Sequence, residues 1–141
     1  MKHRTRSRGA KGPAVSANPG PRVAISSSGT STAAGALALL GLNVPGPFLN
    51  ANATNPKGFY ESRWSVNFHN RLLKRAFVTL ADSRPDALDA VRAAVRPRDR
   101  EQIATWLRDR TSGHDLSALK DPRTIWTLDL WSEVGAELEV S

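Results

Sequence analysis

Three groups of residues in this chain have types and spacing suited to handling an anion. The first is Ser27-Ser28-Gly29-Thr30-Ser31-Thr32, directly after the short apolar run Val23-Ala24-Ile25. A glycine among small hydroxyl residues lets the backbone approach oxygens closely and adds hydroxyl donors. Where such a loop opens a helix, the free N–H groups of the first turn point at the same anion. The same letters also fit an ordinary turn with a Ser or Thr helix cap. The second group is Glu61, which closes Asn55-Pro56-Lys57-Gly58-Phe59-Tyr60-Glu61 just before a helix. It could serve as a general base or be a carboxylate favourably placed near a helix N-terminus. The third is Lys120-Asp121-Pro122-Arg123. Lys120 and Arg123 could contact an anion at a strand's carboxyl end, or form an ion pair with Asp121 beside a helix cap. His69 lies one position from an apolar helical stripe and reads as a structural histidine rather than a base.

Positioning these groups calls for alternating strands and helices. Val23–Ile25 reads as a buried strand and residues 30–42 as a helix that is apolar nearly all round, so buried on most faces. Residues 43–58 form a long loop rich in Pro, Gly and Asn, of a length usually reserved for functional or mobile loops. Over residues 63–80, Trp64, Phe68, Leu72, Ala76 and Leu80 recur every fourth position and predict an amphipathic helix. A short helix is expected over 86–95. Pro97 breaks it, and Asp99 reads as the cap of the next helix, with Gln102 completing a capping box. The run 116–119 is a second strand. Pro122 then suits the first turn of a helix that runs to about Leu138 with Ile125, Leu128, Trp131 and Val134 on one face. Val140 is a candidate start for a third strand.

Strand–helix alternation points to an α/β fold with a parallel sheet. Two clear strands are few for a sheet buried on both faces, so residues 22–141 read as the front part of a larger α/β domain. Residues 1–21 read as a disordered basic tail. Of the net charge of +7, Lys2, Arg4, Arg6, Arg8 and Lys11 supply five, leaving +2 on the rest. The tail is read as a solvated leader rather than a nucleic-acid arm. The chain has no cysteine, which excludes disulfides, a thiol nucleophile and thiolate metal sites. His3, His69 and His114 show no metal-ligand spacing. No apolar run is long enough to span a membrane, and with no signal-type stretch the default expectation is cytoplasmic.

Taken in order, Ser28-Gly29-Thr30-Ser31-Thr32 after a strand, Asn55-Pro56-Lys57-Gly58-Phe59-Tyr60-Glu61 before a helix, and Lys120-Asp121-Pro122-Arg123 after a strand resemble the bacterial, particularly actinobacterial, sulfotransferase family. Leu39-Leu40-Gly41-Leu42-Asn43-Val44-Pro45 and Phe68-His69-Asn70-Arg71-Leu72-Leu73 are similar to it as well. The resemblance covers about residues 22–141. It implies a P-loop-type three-layer parallel sheet with flanking helices, of which this chain carries the front part. It also implies transfer of a sulfo group from 3′-phosphoadenosine 5′-phosphosulfate to a hydroxyl or amine acceptor, with no metal. The phosphosulfate cradle then falls on Ser27, Ser28, Gly29, Thr30, Ser31 and Thr32, and the catalytic candidates are Glu61, Lys120 and Arg123.

The chain departs from the family pattern in two places. Ser27 stands where the family carries a basic residue that stabilises charge on the departing bridging oxygen. A hydroxyl donor lacks that charge, and charge-assisted hydrogen bonds are roughly twice as strong as neutral ones. By analogy with the loss of one oxyanion donor, the deficit is on the order of 10² in rate. The strand and turn that carry the family's 3′-phosphate Arg and Ser also have no counterpart here. An alternative expectation is therefore a non-catalytic remnant or an anion- or nucleotide-binding protein of P-loop type. A nucleoside-triphosphate enzyme fits less well, because Gly29 is followed by Thr30 rather than by the Lys of a Walker loop.

Overall fold

The computed structural model describes residues 22–26, 31–51, 53 and 59–138. The basic tail, Ser27 to Thr30, Asn55 to Gly58 and Val140 lie outside the described residues. The chain is a mixed α/β structure. β1 (Arg22–Ser26) is followed by α1 (Ser31–Leu39), α2 (Arg63–Ala76), α3 (Ala87–Ala94), α4 (Pro97–Thr111), β2 (Leu116–Lys120), a 3₁₀ turn (Pro122–Trp126) and α5 (Leu128–Glu137). β1 and β2 pair in parallel, with Val23 opposite Ser117 and Ser26 opposite Lys120. Asn43 also bridges to Ser117, and its backbone carbonyl accepts Ala118 N–H at 2.8 Å. The start of the long 43–58 segment is therefore stitched to the sheet.

The core lies between α2, α3, α4, α5 and β2. Phe68, Leu72, Val91, Ile103, Leu107, Leu119, Trp131 and Val134 are almost wholly buried in it. On its side the partly buried Trp64 stacks on Trp106 with ring centroids 5.3 Å apart, and Trp131 meets both edge-on at 6.2 and 5.7 Å. Stacked and edge-to-face aromatic pairs of this kind add about 0.5–1.5 kcal/mol each beyond their buried area.

Four expectations from the pattern need correction. α2 stops at Ala76 rather than at Leu80. Phe77 turns into the left-handed region (φ 57°), and Val78 N–H bonds back to Leu73 O at 3.0 Å. That reversal buries Val78 and leaves Phe77 and Leu80 exposed. Asp99 is not a helix cap. Pro97 opens α4, as its preset φ favours, and Asp99 in the first turn accepts the Arg96 N–H at 2.8 Å. The element after Pro122 is not one helix. A 3₁₀ turn ends at Thr127 before α5 begins. The change of winding brings Thr124 and Thr127 inward with Leu130 and Trp131, and turns Ile125 and Leu128 out to solvent. Finally, α1 buries only Ala34 and Gly35 among its residues. Leu39 and Leu40 are 91% and 79% exposed, because no described element covers that face.

These differences in burial set the stability map. Leu72→Ala should cost about 2–5 kcal/mol, whereas Leu39→Ala should change stability by no more than about 0.5 kcal/mol, both read from urea unfolding midpoints.

Candidate functional site

The site sits at the carboxyl end of the parallel pair. The register sets Ser26, the last residue of β1, beside Lys120, the last residue of β2. The chain therefore leaves both strands at the same edge, after Ser26 and after Lys120, where ligands of open α/β sheets bind.

Glu61 reaches this edge from the segment that precedes α2. Tyr60 before it takes a left-handed backbone (φ 52°), uncommon for a residue with a bulky side chain. The Tyr60 ring lies over Gly35 of α1, where a Cβ would come within 3.1 Å of it, so the close contact depends on glycine. Phe48 packs against the same ring at 5.5 Å. The Glu61 carbonyl accepts Leu49 N–H at 2.9 Å, Arg63 N–H donates to Pro47 O at 2.9 Å, and Phe48 bridges to Ser62. Residues 47–49 thus hold the backbone on both sides of Glu61.

The Glu61 carboxylate closes on both cations of the second motif. Lys120 Nζ donates to Oε1 at 2.5 Å and Arg123 Nη1 to Oε2 at 3.3 Å. The Glu61 and Lys120 side chains are 8% and 7% exposed. Arg123 also donates from Nη1 to Asp121 Oδ1 at 3.1 Å and from Nε to Asn70 Oδ1 at 2.8 Å. All three catalytic candidates from the sequence therefore meet in one cluster. Lys120 pairs with Glu61, and Asp121 pairs with Arg123. The described part of the expected cradle, Ser31 and Thr32, forms the first turn of α1; Ser27, Ser28, Gly29 and Thr30 lie outside the described residues.

Beneath the cluster runs a buried polar network that the motifs alone did not reveal. Asp121 caps the 3₁₀ turn by accepting Arg123 N–H at 3.0 Å. Its Oδ2 accepts Ser65 Oγ–H at 2.8 Å and faces His69 Nδ1 at 2.8 Å. His69 Nε2 receives the Trp131 indole N–H at 3.1 Å and lies 2.9 Å from Thr127 Oγ1. An indole nitrogen only donates, so Nε2 presents its lone pair and the ring proton sits on Nδ1, toward Asp121. This tautomer is assigned from the network. Ser65 and His69 are one helical turn apart on α2, the spacing that aims both side chains at one point. That spacing within Ser65-Val66-Asn67-Phe68-His69 is the sequence signal for the network; its partner, Asp121, lies 52 positions further on.

Burial pushes the Asp121 carboxyl up. The hydrogen bond from His69 opposes this, helped by the Arg123 N–H and Ser65, and the net effect lowers it from 3.8 to about 2. Among the described residues the cluster holds two carboxylates and two cations, whose formal charges balance. It can fix the geometry of the strand end, and Lys120 and Arg123 can grip an oxyanion once Glu61 is out of their way.

Comparison with family models, with curated proteins and with solved structures finds no match to this chain.

A carboxyl group whose value is depressed on folding stabilises the fold above its unfolded value, and that contribution is lost as pH falls through the folded one. Stability should therefore drop by roughly 2 kcal/mol through Asp121 between about pH 4 and pH 2. Urea midpoints measured across that range should flatten in Asp121→Asn, which should also be less stable at neutral pH.

Proposed function

We propose that this chain is a sulfotransferase-type domain that binds the phosphosulfate end of 3′-phosphoadenosine 5′-phosphosulfate at the carboxyl edge of β1 and β2, in a P-loop-type parallel sheet. The carrying observation is the register: Ser26, from which the serine-rich loop departs, pairs with Lys120, whose ammonium meets Glu61 and neighbours Arg123. In the proposed arrangement the Ser27–Thr32 stretch and two cations serve one edge.

In this reading residues 27–32 cradle the phosphosulfate by backbone and hydroxyl donors, with Lys120 and Arg123 on the sulfo oxygens. The acceptor oxygen or nitrogen attacks sulfur in line. The bond from sulfur to the bridging phosphate oxygen breaks, adenosine 3′,5′-bisphosphate leaves, and Glu61 takes the acceptor's proton. Such a transfer asks the protein for positioning and charge stabilisation rather than covalent chemistry. Ser27 favours a second reading, in which the same edge binds the sulfonucleotide but turns it over slowly, since a neutral donor faces the leaving oxygen.

Calorimetric titration separates these readings from a nucleoside-triphosphate site. Adenosine 3′,5′-bisphosphate should bind at least about tenfold more tightly than ATP, a difference of about 1.4 kcal/mol. Preference for ATP, or binding of neither nucleotide, would overturn the proposal.

A further inference from the structure

The Glu61 carboxylate bridges the two cations as a bound oxyanion would, with one oxygen on Lys120 Nζ and the other on Arg123 Nη1. We propose that Glu61 is an internal stand-in for the ligand's anionic group. In the free protein it plugs the anion site, and an arriving sulfo or phosphoryl group displaces it. This rests on the sulfonucleotide reading only for the identity of the ligand; the plug itself follows from geometry and charge.

Charge makes the site exclusive. Glu61 and Asp121 balance Lys120 and Arg123 in a space almost closed to water. A further anion beside an undisplaced Glu61 would sit in that space without compensation, and burying an unpaired charge is strongly unfavourable. One carboxylate must leave, and the two are not equally held. Asp121 has no exposed surface and accepts from Ser65, His69 and both the backbone and the guanidinium of Arg123. Among the described residues, the Glu61 carboxylate has only Lys120 and Arg123.

The displacement is a side-chain swing. The backbone around Glu61 stays fixed by Leu49, by the Phe48–Ser62 bridge and by the Arg63–Pro47 bond. When the carboxylate leaves the cations, its oxygens become free to accept a proton. Binding of the anion and exposure of the base are thereby one event, which keeps the base covered until the site is loaded.

The test uses inorganic sulfate as probe, with calorimetry and thermal unfolding of the full chain. Removing the competing carboxylate in Glu61→Gln should tighten sulfate binding by about tenfold, the factor gained when the binding-competent state is no longer a minor one. Sulfate should also raise the melting temperature more in Glu61→Gln than in the parent. The gain should vanish in Glu61→Gln combined with Lys120→Met. Should Glu61→Gln not fold, Glu61→Asp carries the comparison. Its side chain is one methylene shorter and bridges both cations less well, so sulfate should still bind more tightly than to the parent. Sulfate affinity unchanged or weakened in the folded variants would overturn the plug. Parallel titration with adenosine 3′,5′-bisphosphate separates the two proposals. A sulfate gain without nucleotide binding keeps the plug and removes the sulfonucleotide reading; nucleotide binding without a sulfate gain does the reverse.

Discussion

The Asp121 carboxylate, directly after β2, has no exposed surface and is held by Ser65 and His69 of α2 and by the backbone and side chain of Arg123. A buried carboxylate is tolerated only when its lone pairs are filled, so the elements that fill them are fixed relative to one another. α2 is tied to the strand end, and the 3₁₀ turn is started. The Arg123 guanidinium is aimed back at Glu61. His69 extends the constraint to Thr127 and Trp131, and Trp131 to Trp64 and Trp106 in the core. A continuous path of hydrogen bonds and ring contacts therefore joins the aromatic core to the cations at the sheet edge.

That constraint decides what the edge can do. Asp121 is committed to structure, so the charge left to respond to a ligand is that of Glu61. A neutral cluster has little attraction for a distant anion, but it offers two preset cations to one that can replace the carboxylate. Preset donors need little reorganisation when charge arrives, which is the usual source of their effectiveness. The arrangement suits a ligand carrying its own negative oxygens, and it gives Tyr60 and Gly35 a role as well: their close contact holds the segment that delivers Glu61 against α1.

The sequence showed most where a local signal coincided with burial. The 63–76 stripe was readable because Phe68, Leu72 and Ala76 repeat at helical spacing and all face the core. Residues 116–119 were readable as a strand because they form a short apolar run, and the strand extends one residue further, to Lys120. What escaped depended on contacts distant in the chain or on backbone choices that periodicity does not encode. The stop at Phe77 coincides with the burial of Val78, and the break at Thr127 with the contact of its hydroxyl to His69. A stripe counted through Ile125 and Leu128 crosses that break unaware of it. The apolar face of α1 reads as core on composition, yet Leu39 and Leu40 remain uncovered by any described element. At the site, Glu61, Lys120 and Arg123 were each visible as charged residues at element ends. Their meeting was not, since 59 positions separate Glu61 from Lys120. Asp121 was visible as an ion-pair partner for Lys120 and Arg123, but its tie to His69 depends on how α2 packs.

The most direct measurement is a crystal structure of the chain soaked with adenosine 3′,5′-bisphosphate and sulfate. A sulfate or phosphate oxygen should lie between Lys120 Nζ and the Arg123 guanidinium, with the Glu61 side chain rotated away from both and Asp121 still bonded to His69 and Ser65. An anion bound elsewhere while Glu61 continues to bridge the two cations would contradict a displaceable Glu61.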